Sequence, residues 1–116
     1  MFETPFGAIA KAAREAIVVV DQRQRIVALN PAAQRMFLCT SSATLGQPLS
    51  SLIPQPLRAA HERHVQQFES SGVIERVMSQ RKGITGLRSD GQEFPAEATI
   101  SRIELAVDGQ PRPFFV

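Results

Sequence analysis

A tight turn followed by a strand with a small apolar face constrains this chain more than any other feature. The dipeptide Asp90-Gly91 suits a two-residue hairpin turn, because both residues can take positive φ angles at little cost. In the strand that follows, one face carries Phe94, Ala96, Ala98 and Ile100, while the alternate positions are mostly polar. Two alanines cannot fill a core by themselves. We therefore expect a helix or a bound ligand to lie against this face of the strand.

Length and composition limit the chain to a single soluble domain. Its 116 residues carry a net charge of +2, and the basic residues are scattered, which argues against a nucleic-acid-binding surface. A single cysteine excludes an intramolecular disulfide and favours a reducing compartment, so we expect a cytoplasmic location, with any membrane tether elsewhere in a longer parent. The longest uninterrupted apolar run, residues 16–20, is too short to cross a bilayer, so no direct membrane contact is expected.

An amphipathic helix is predicted within residues 1–15, over about residues 5–15, ahead of a main domain at residues 16–116. Large apolar side chains recur there at helical spacing, at Phe2, Phe6 and Ile9. Such a stripe must be buried, either on the outer face of the domain's own sheet or against a second copy of the chain. We expect a homodimer that forms through this helix and the sheet.

The remaining segments predict an α+β fold. Two β-rich segments lie on either side of a turn at residues 21–24, and Asn30-Pro31 has the residues of a helix start. A long helix is predicted over about residues 56–70. Strands are predicted at residues 75–81, 84–88 and 93–105, with the start of a last strand at 114–116. This order indicates an antiparallel sheet covered by helices.

The ordered set of segments resembles the PAS domain over about residues 14–116. The matching positions include Ile17-Val18-Val19-Val20-Asp21, Asn30-Pro31-Ala32-Ala33, Leu45-Gly46-Gln47-Pro48-Leu49, Ile53-Pro54, Gly86-Leu87-Arg88 and Phe94-Pro95. The resemblance implies a five-stranded antiparallel sheet with helices packed on one face and a ligand cavity or small core between them. It also implies a bacterial sensory module that regulates a C-terminal effector, such as a histidine kinase or a diguanylate cyclase. We expect the chain to stop within its last strand.

Two histidines on the long helix are the sharpest candidates for a binding role. At about 100° per residue, His61 and His64 fall in the same apolar arc as Leu57, Val65 and Phe68. PAS oxygen sensors that bind haem b place their axial histidine on this helix, and the resemblance implies His61 as that ligand. In PAS domains without haem, an inward histidine can instead hydrogen-bond a backbone or buried polar group, and this alternative stays open.

The predicted ligand cavity lies between the long helix and the strand after the Asp-Gly turn. Its lining residues are Phe37, Leu57, His61, His64, Val65, Phe68, Val77, Ala96, Ala98 and Ile100. Two features depart from the haem-sensor pattern: Lys82 stands where those sensors have an arginine, and the two alanines stand where they have bulkier residues. A flavin is disfavoured, because the only cysteine, Cys39, lies outside the Asn-Cys-Arg-Phe-Leu run of light-sensing relatives.

The sequence contains no combination of residues that suits catalysis or metal binding. The two histidines have no paired nucleophile, and their i,i+3 pair lacks a third metal ligand. Three hypotheses therefore remain. The chain is a non-catalytic PAS module that senses a small ligand, a PAS module without ligand that serves dimerisation and signal relay, or a haem-based gas or redox sensor.

Overall fold

The structure is a computed structural model that describes residues 14–71, 75–77 and 84–116. The helix predicted over residues 5–15 therefore falls almost entirely outside the described residues, together with its expected dimer contact. The strands are β1 Val18–Val20, β2 Ile26–Leu29, β3 Glu75–Val77, β4 Ile84–Leu87, β5 Glu93–Ala96, β6 Thr99–Val107 and β7 Gln110–Phe115. The helices are α1 Pro31–Phe37, α2 Ser41–Thr44 and α3 Arg58–Ser71, with 3₁₀ turns at Leu49–Leu52 and Gln55–Leu57.

The main sheet of the described residues has five antiparallel strands in the order β2-β1-β7-β6-β3. Its central strand is β7, the last along the chain, which pairs with β1 through Val20 and Phe115 and with β6 from Arg102 to Val107. This arrangement confirms the predicted α+β class with a five-stranded antiparallel sheet. The central position of β7 places the end of the chain in direct contact with both halves of the sheet.

The single strand predicted over residues 93–105 is wrong, because this stretch forms two strands. β5 pairs with β4 as a separate hairpin, and β6 pairs with β3 in the main sheet. Val77 pairs with Thr99, and Ile84 pairs with Ala96. Between these two pairs the chain has six residues, 78–83, on one side and only two, 97–98, on the other. The stretch predicted as one strand over residues 93–105 therefore holds two strands, Glu93–Ala96 and Thr99–Val107.

The core lies between α3 and one face of the main sheet. Its buried residues come from both sheet and helices: Val20, Ile26, Leu29, Ala33, Leu52, Val65, Phe68, Ile100 and Phe115. Phe68 of α3 meets Phe115 of β7 edge to face, with the ring centroids 6.1 Å apart. Aromatic pairs in this geometry contribute about 0.5–1.5 kcal/mol beyond their buried area. The contact joins the long helix directly to the central strand.

Asn30 fixes the start of α1 against the beginning of β1. Its side-chain Oδ1 accepts hydrogen bonds from the backbone N–H of Ala33 at 2.9 Å and of Ile17 at 2.8 Å, and its Nδ2 donates to the Glu15 carbonyl at 2.8 Å. Asn30 is completely buried. The predicted helix cap is confirmed, and the same side chain also tethers the segment that enters the sheet.

The β4–β5 hairpin is held against the C-terminal end of α1. The backbone N–H of Ser89 donates to the Phe37 carbonyl at 2.9 Å, and the Arg88 Nε donates to the Met36 carbonyl at 3.0 Å. The Arg88 guanidinium lies 4.5 Å from the ring centroid of Phe94. Gly86 lies beneath that ring, where an added Cβ would fall 2.4 Å from the Phe94 Cζ. Only glycine therefore allows this packing.

Candidate functional site

The face of α3 that meets the sheet carries two of the predicted apolar contacts. Val65 is 1% exposed and Phe68 is 3% exposed, and both belong to the core. Leu57 is 44% exposed, which corrects its predicted inward position. The reason is that Leu57 ends a 3₁₀ turn and the α-helix begins only at Arg58, so a helical wheel started at Leu57 assigns the wrong direction to it.

The two histidines of α3 do not share a face. His61 is half-buried, whereas His64 is exposed, so the predicted inward direction is correct for His61 and wrong for His64. His64 lies one helical step, about 100°, from the buried Val65 and therefore falls outside the face that contacts the sheet. The two side chains differ sharply in environment although they are only three residues apart.

His61 carries a buried ring nitrogen that has no hydrogen-bond partner among the described residues. This atom is Nδ1. Burial lowers the pKa of His61 from its ordinary value of 6.5, because it disfavours the charged imidazolium. The neighbouring His64 lowers this pKa further, and the carboxylate of Glu62 opposes the shift. The imidazole is therefore neutral at neutral pH.

Glu69 is a second polar group on the sheet-facing side of α3. Its Oε1 is buried and has no partner among the described residues, and its side chain is half-buried, although Glu69 was not among the residues expected to face inward. Burial raises the pKa of Glu69 from 4.5, and the nearby Asp21 carboxylate raises it further. The four-residue spacing between Val65 and Glu69 was a usable signal, because it puts both on one face of the helix.

The other predicted cavity residues lie at different depths around this face. Ile100 is buried in the core, and Phe37 packs against the core with its ring 5.3 Å from that of Phe94. Ala96 and Ala98 are half-buried, and Ala98 lies in the break between β5 and β6. The backbone of Val77 pairs with Thr99 in the sheet, but its side chain lies outside the described residues, as does Lys82.

The remaining sequence candidates have ordinary environments. Cys39 is a free, half-buried thiol that packs against the core just after α1. In the part of the chain that the structure describes, no three His, Cys, Asp or Glu side chains come together as metal ligands. None of the described helices is long and apolar enough to span a membrane.

Comparison with known proteins identifies the family to which the fold belongs. A family model described as the PAS fold matches residues 11–112. The sensor protein FixL of Bradyrhizobium diazoefficiens is 27% identical over 109 residues, which cover 94% of this chain and 21% of that protein. The chain thus spans about a fifth of the length of this curated relative.

Two solved structures show the same fold at low sequence identity. The PAS domain of a protein from Colwellia psychrerythraea superposes with a TM-score of 0.72 at 19% identity, covering 95% of this chain and 89% of that one. The PAS domain of nitrogen regulation protein NR(II) from Vibrio parahaemolyticus gives a TM-score of 0.68 at 24% identity, covering 97% and 94%.

Proposed function

Because the chain belongs to the PAS family, we propose that it is a sensory module whose signal is received at His61 and passed through β7 to an effector in the same polypeptide. The PAS fold is a sensory, non-catalytic fold, so the domain itself carries out no reaction. The effector, a histidine kinase or a diguanylate cyclase, belongs to the proposal. The sensor protein FixL, of which the match covers only 21%, supports a parent much longer than this domain.

The buried Nδ1 of His61 is the observation that carries this proposal. A buried polar atom without a partner costs about 1–3 kcal/mol in desolvation, so proteins rarely retain one without a use for it. A ligand that donates to or accepts from this nitrogen would recover that energy on binding. The site therefore favours a small ligand with a hydrogen-bonding group, placed between α3 and the strands that follow the hairpin turn.

The route from His61 to the effector follows from the packing of α3. Val65 and Phe68 lie one and two turns further along the same helix, and Phe68 contacts Phe115 of the central strand. A ligand at His61 that favours one position of α3 would therefore favour one position of β7. Such a ligand shifts the populations of two packed states by its difference in affinity for them. β7 then carries this bias toward an effector that follows it in the parent.

Haem b is a second candidate for the signal, and His61 supports it in part. A haem ligand must be a neutral imidazole with a free nitrogen. The lowered pKa of His61 and its Nδ1, which has no partner among the described residues, are consistent with this requirement. Ligating histidines also hold a partner at their second nitrogen, and no described residue hydrogen-bonds the His61 ring. Bound haem would supply a site for a diatomic gas or a one-electron change.

The general proposal is tested by melting curves of the purified domain against hemin and a panel of small metabolites. We expect at least one compound to raise the melting temperature of the wild type and of His64→Ala, but not of His61→Ala. His64→Ala is the matched control, because it removes an exposed histidine from the same helix. A panel without any shift, or equal shifts in all three proteins, would favour the ligand-free relay module instead.

The haem proposal has a separate test in the absorption spectrum. The wild type, His61→Ala and His64→Ala are each expressed with haem precursor and also titrated with hemin. A sharp Soret band that disappears only in His61→Ala would assign haem to this histidine. A wild type without the band, or a band that survives both substitutions, would exclude His61 as the haem ligand and leave the small-metabolite site.

A further inference from the structure

A concave surface lies on the outside of the domain, between the turn that joins β1 to β2, the segment at residues 48–50, and α3. It is a groove of about 250 Å³, lined by Arg23, Gln24, Arg25, Pro48, Leu49, Ser50, Glu62 and Gln66. None of these residues belongs to the predicted cavity around His61. The groove is therefore a separate site, and the sensory proposal does not use it.

Backbone hydrogen bonds fix two walls of the groove to each other. The N–H of Leu49 donates to the Gln24 carbonyl at 2.8 Å, and the N–H of Ile26 donates to the Gln47 carbonyl at 2.9 Å. Arg25 and Pro48 form an additional antiparallel bridge between the same segments. The turn and the segment at residues 48–50 are therefore held to each other without any ligand.

The turn itself is held in an unusual conformation that presents its arginines. The Asp21 Oδ1 accepts hydrogen bonds from the backbone N–H of Arg23 at 2.9 Å and of Arg25 at 3.0 Å. Gln24, between them, has a φ of 61°, a left-handed conformation that non-glycine residues seldom adopt. The Asp21 carboxylate thus holds the backbone of both arginines in this turn, and both residues line the groove.

Charges of opposite sign face the groove from its two sides. Arg23 and Arg25 lie on the turn, and Glu62 lies on α3, with Gln66 one helical turn further along. All four residues are exposed, so their side chains can reach a ligand in the groove. Among the described residues, neither arginine comes within the 4.0 Å ion-pair distance of Glu62. The groove is thus lined by two cations and one anion that do not form an ion pair with each other.

We propose that this groove binds a small zwitterion, an α-amino acid, and that it prefers one with an acidic side chain. The guanidinium groups of Arg23 and Arg25 suit a carboxylate, which arginine can bind through paired N–H donors. The Glu62 carboxylate suits the α-ammonium group, and the Gln66 amide can donate to or accept from either. Two cations and one anion leave the groove with one positive charge, which the second carboxylate of an acidic amino acid neutralises.

The groove and the His61 site share the helix α3. Glu62 lines the groove, and its carboxylate also acts on the neighbouring His61, whose protonation it favours. An ammonium group bound at Glu62 would offset that carboxylate. Occupancy of the groove therefore changes the electrostatic environment of the histidine without contact between the two ligands.

The test is an NMR titration of the isotopically labelled domain with L-glutamate, compared with L-alanine, succinate and ethanolamine. We expect saturable shifts of groove amides with L-glutamate, weaker binding of L-alanine, and little binding of succinate or ethanolamine, because each lacks one of the two charges. Arg23→Ala and Glu62→Gln should each weaken L-glutamate binding by about 1.4- to fivefold, the range for exposed ion pairs. Arg63→Ala, beside Glu62 but outside the groove, is the matched control and should bind as the wild type does.

Several outcomes would overturn this proposal. Groove amides that do not respond to L-glutamate at millimolar concentration would remove the site. Succinate binding as tightly as L-glutamate would mean an anion surface rather than a zwitterion site. Equal weakening by Arg63→Ala and Arg23→Ala would reduce the interaction to general surface charge. Since all three substituted residues are exposed, we expect each variant to fold.

Discussion

Replacing His61 with leucine is expected to stabilise the domain while it abolishes its response to ligand. The buried Nδ1 has no partner among the described residues, so the wild type bears the desolvation cost of that atom. Leucine removes the polar atom and places an apolar side chain at this half-buried position. A binding residue that is retained at the expense of stability should show this opposite effect on stability and function.

The magnitude follows from the burial of the ring. Full burial of an unpartnered polar group costs about 1–3 kcal/mol, and because His61 is only half-buried we expect the lower end, about 1 kcal/mol. A chain of 116 residues has an unfolding entropy of roughly 0.24 kcal/mol/K, so this gain corresponds to a rise in melting temperature of about 4 °C. Differential scanning calorimetry without added ligand measures both quantities.

The pH dependence gives an independent check on the same reasoning. Because the pKa of His61 is lowered in the folded protein, the unfolded chain binds this proton more tightly. The wild type therefore loses stability as the pH falls below 6.5, and His61→Leu lacks this loss. The advantage of the variant should widen from neutral pH to about pH 5. His64→Leu serves as the control and should change stability by less than about 0.5 kcal/mol. A His61→Leu protein that melts below the wild type would refute the reasoning.

Three further substitutions test the surrounding structure, each by thermal or urea unfolding. Asn30→Ala removes three hydrogen bonds from a fully buried side chain and should cost about 3 kcal/mol; a loss below about 1 kcal/mol would contradict the capping role. Gly86→Ala places a Cβ against the Phe94 ring and should cost about 1–3 kcal/mol, most of which Phe94→Leu should restore in the double variant. Glu69→Gln should stabilise the protein by no more than about 1 kcal/mol at pH 7, because the raised pKa of Glu69 means that folding disfavours its carboxylate. This gain in stability should disappear below pH 4.5, where the carboxyl group is protonated in both states. A gain that persists below pH 4.5 would disprove this cause.

Local patterns in the sequence were sufficient to predict the α+β class, the start of α1 and part of the core. Asn30-Pro31 predicted a helix start correctly, because capping depends on neighbouring residues only. The apolar periodicity also placed Val65, Phe68 and Ile100 correctly, since each is buried in the core. These predictions needed no knowledge of contacts between distant segments.

The direction of α3 was harder to predict, because it depends on where the helix begins. The 3₁₀ turn before Arg58 changes the rotation per residue, and the wheel started at Leu57 therefore favoured His64 over Glu69. The structure places His64 in solvent and Glu69 partly inside. If the predicted buried face of α3 is rotated by less than the 100° between consecutive residues, it includes Glu69 in place of His64.

Contacts between segments far apart in the sequence could not be predicted at all. The hairpin turn docks on the end of α1 through Arg88 and Ser89, which lie about 50 positions from the carbonyls that they contact. The groove at the turn between β1 and β2 likewise combines Arg23 with Glu62. Neither combination has a local signature, because each depends on how the sheet and helices pack.

The central claim, that events at His61 reach the strand that leads to the effector, is tested most directly by the amide chemical shifts of β7 during a pH titration. The proton serves as the probe, so no ligand need be known. We predict that the amides of Phe114 and Phe115 titrate with a midpoint below 6.5, that His61→Ala abolishes this transition, and that His64→Ala retains it. Amides of β7 that do not respond in this range, or that respond equally in His61→Ala, would contradict the proposed route.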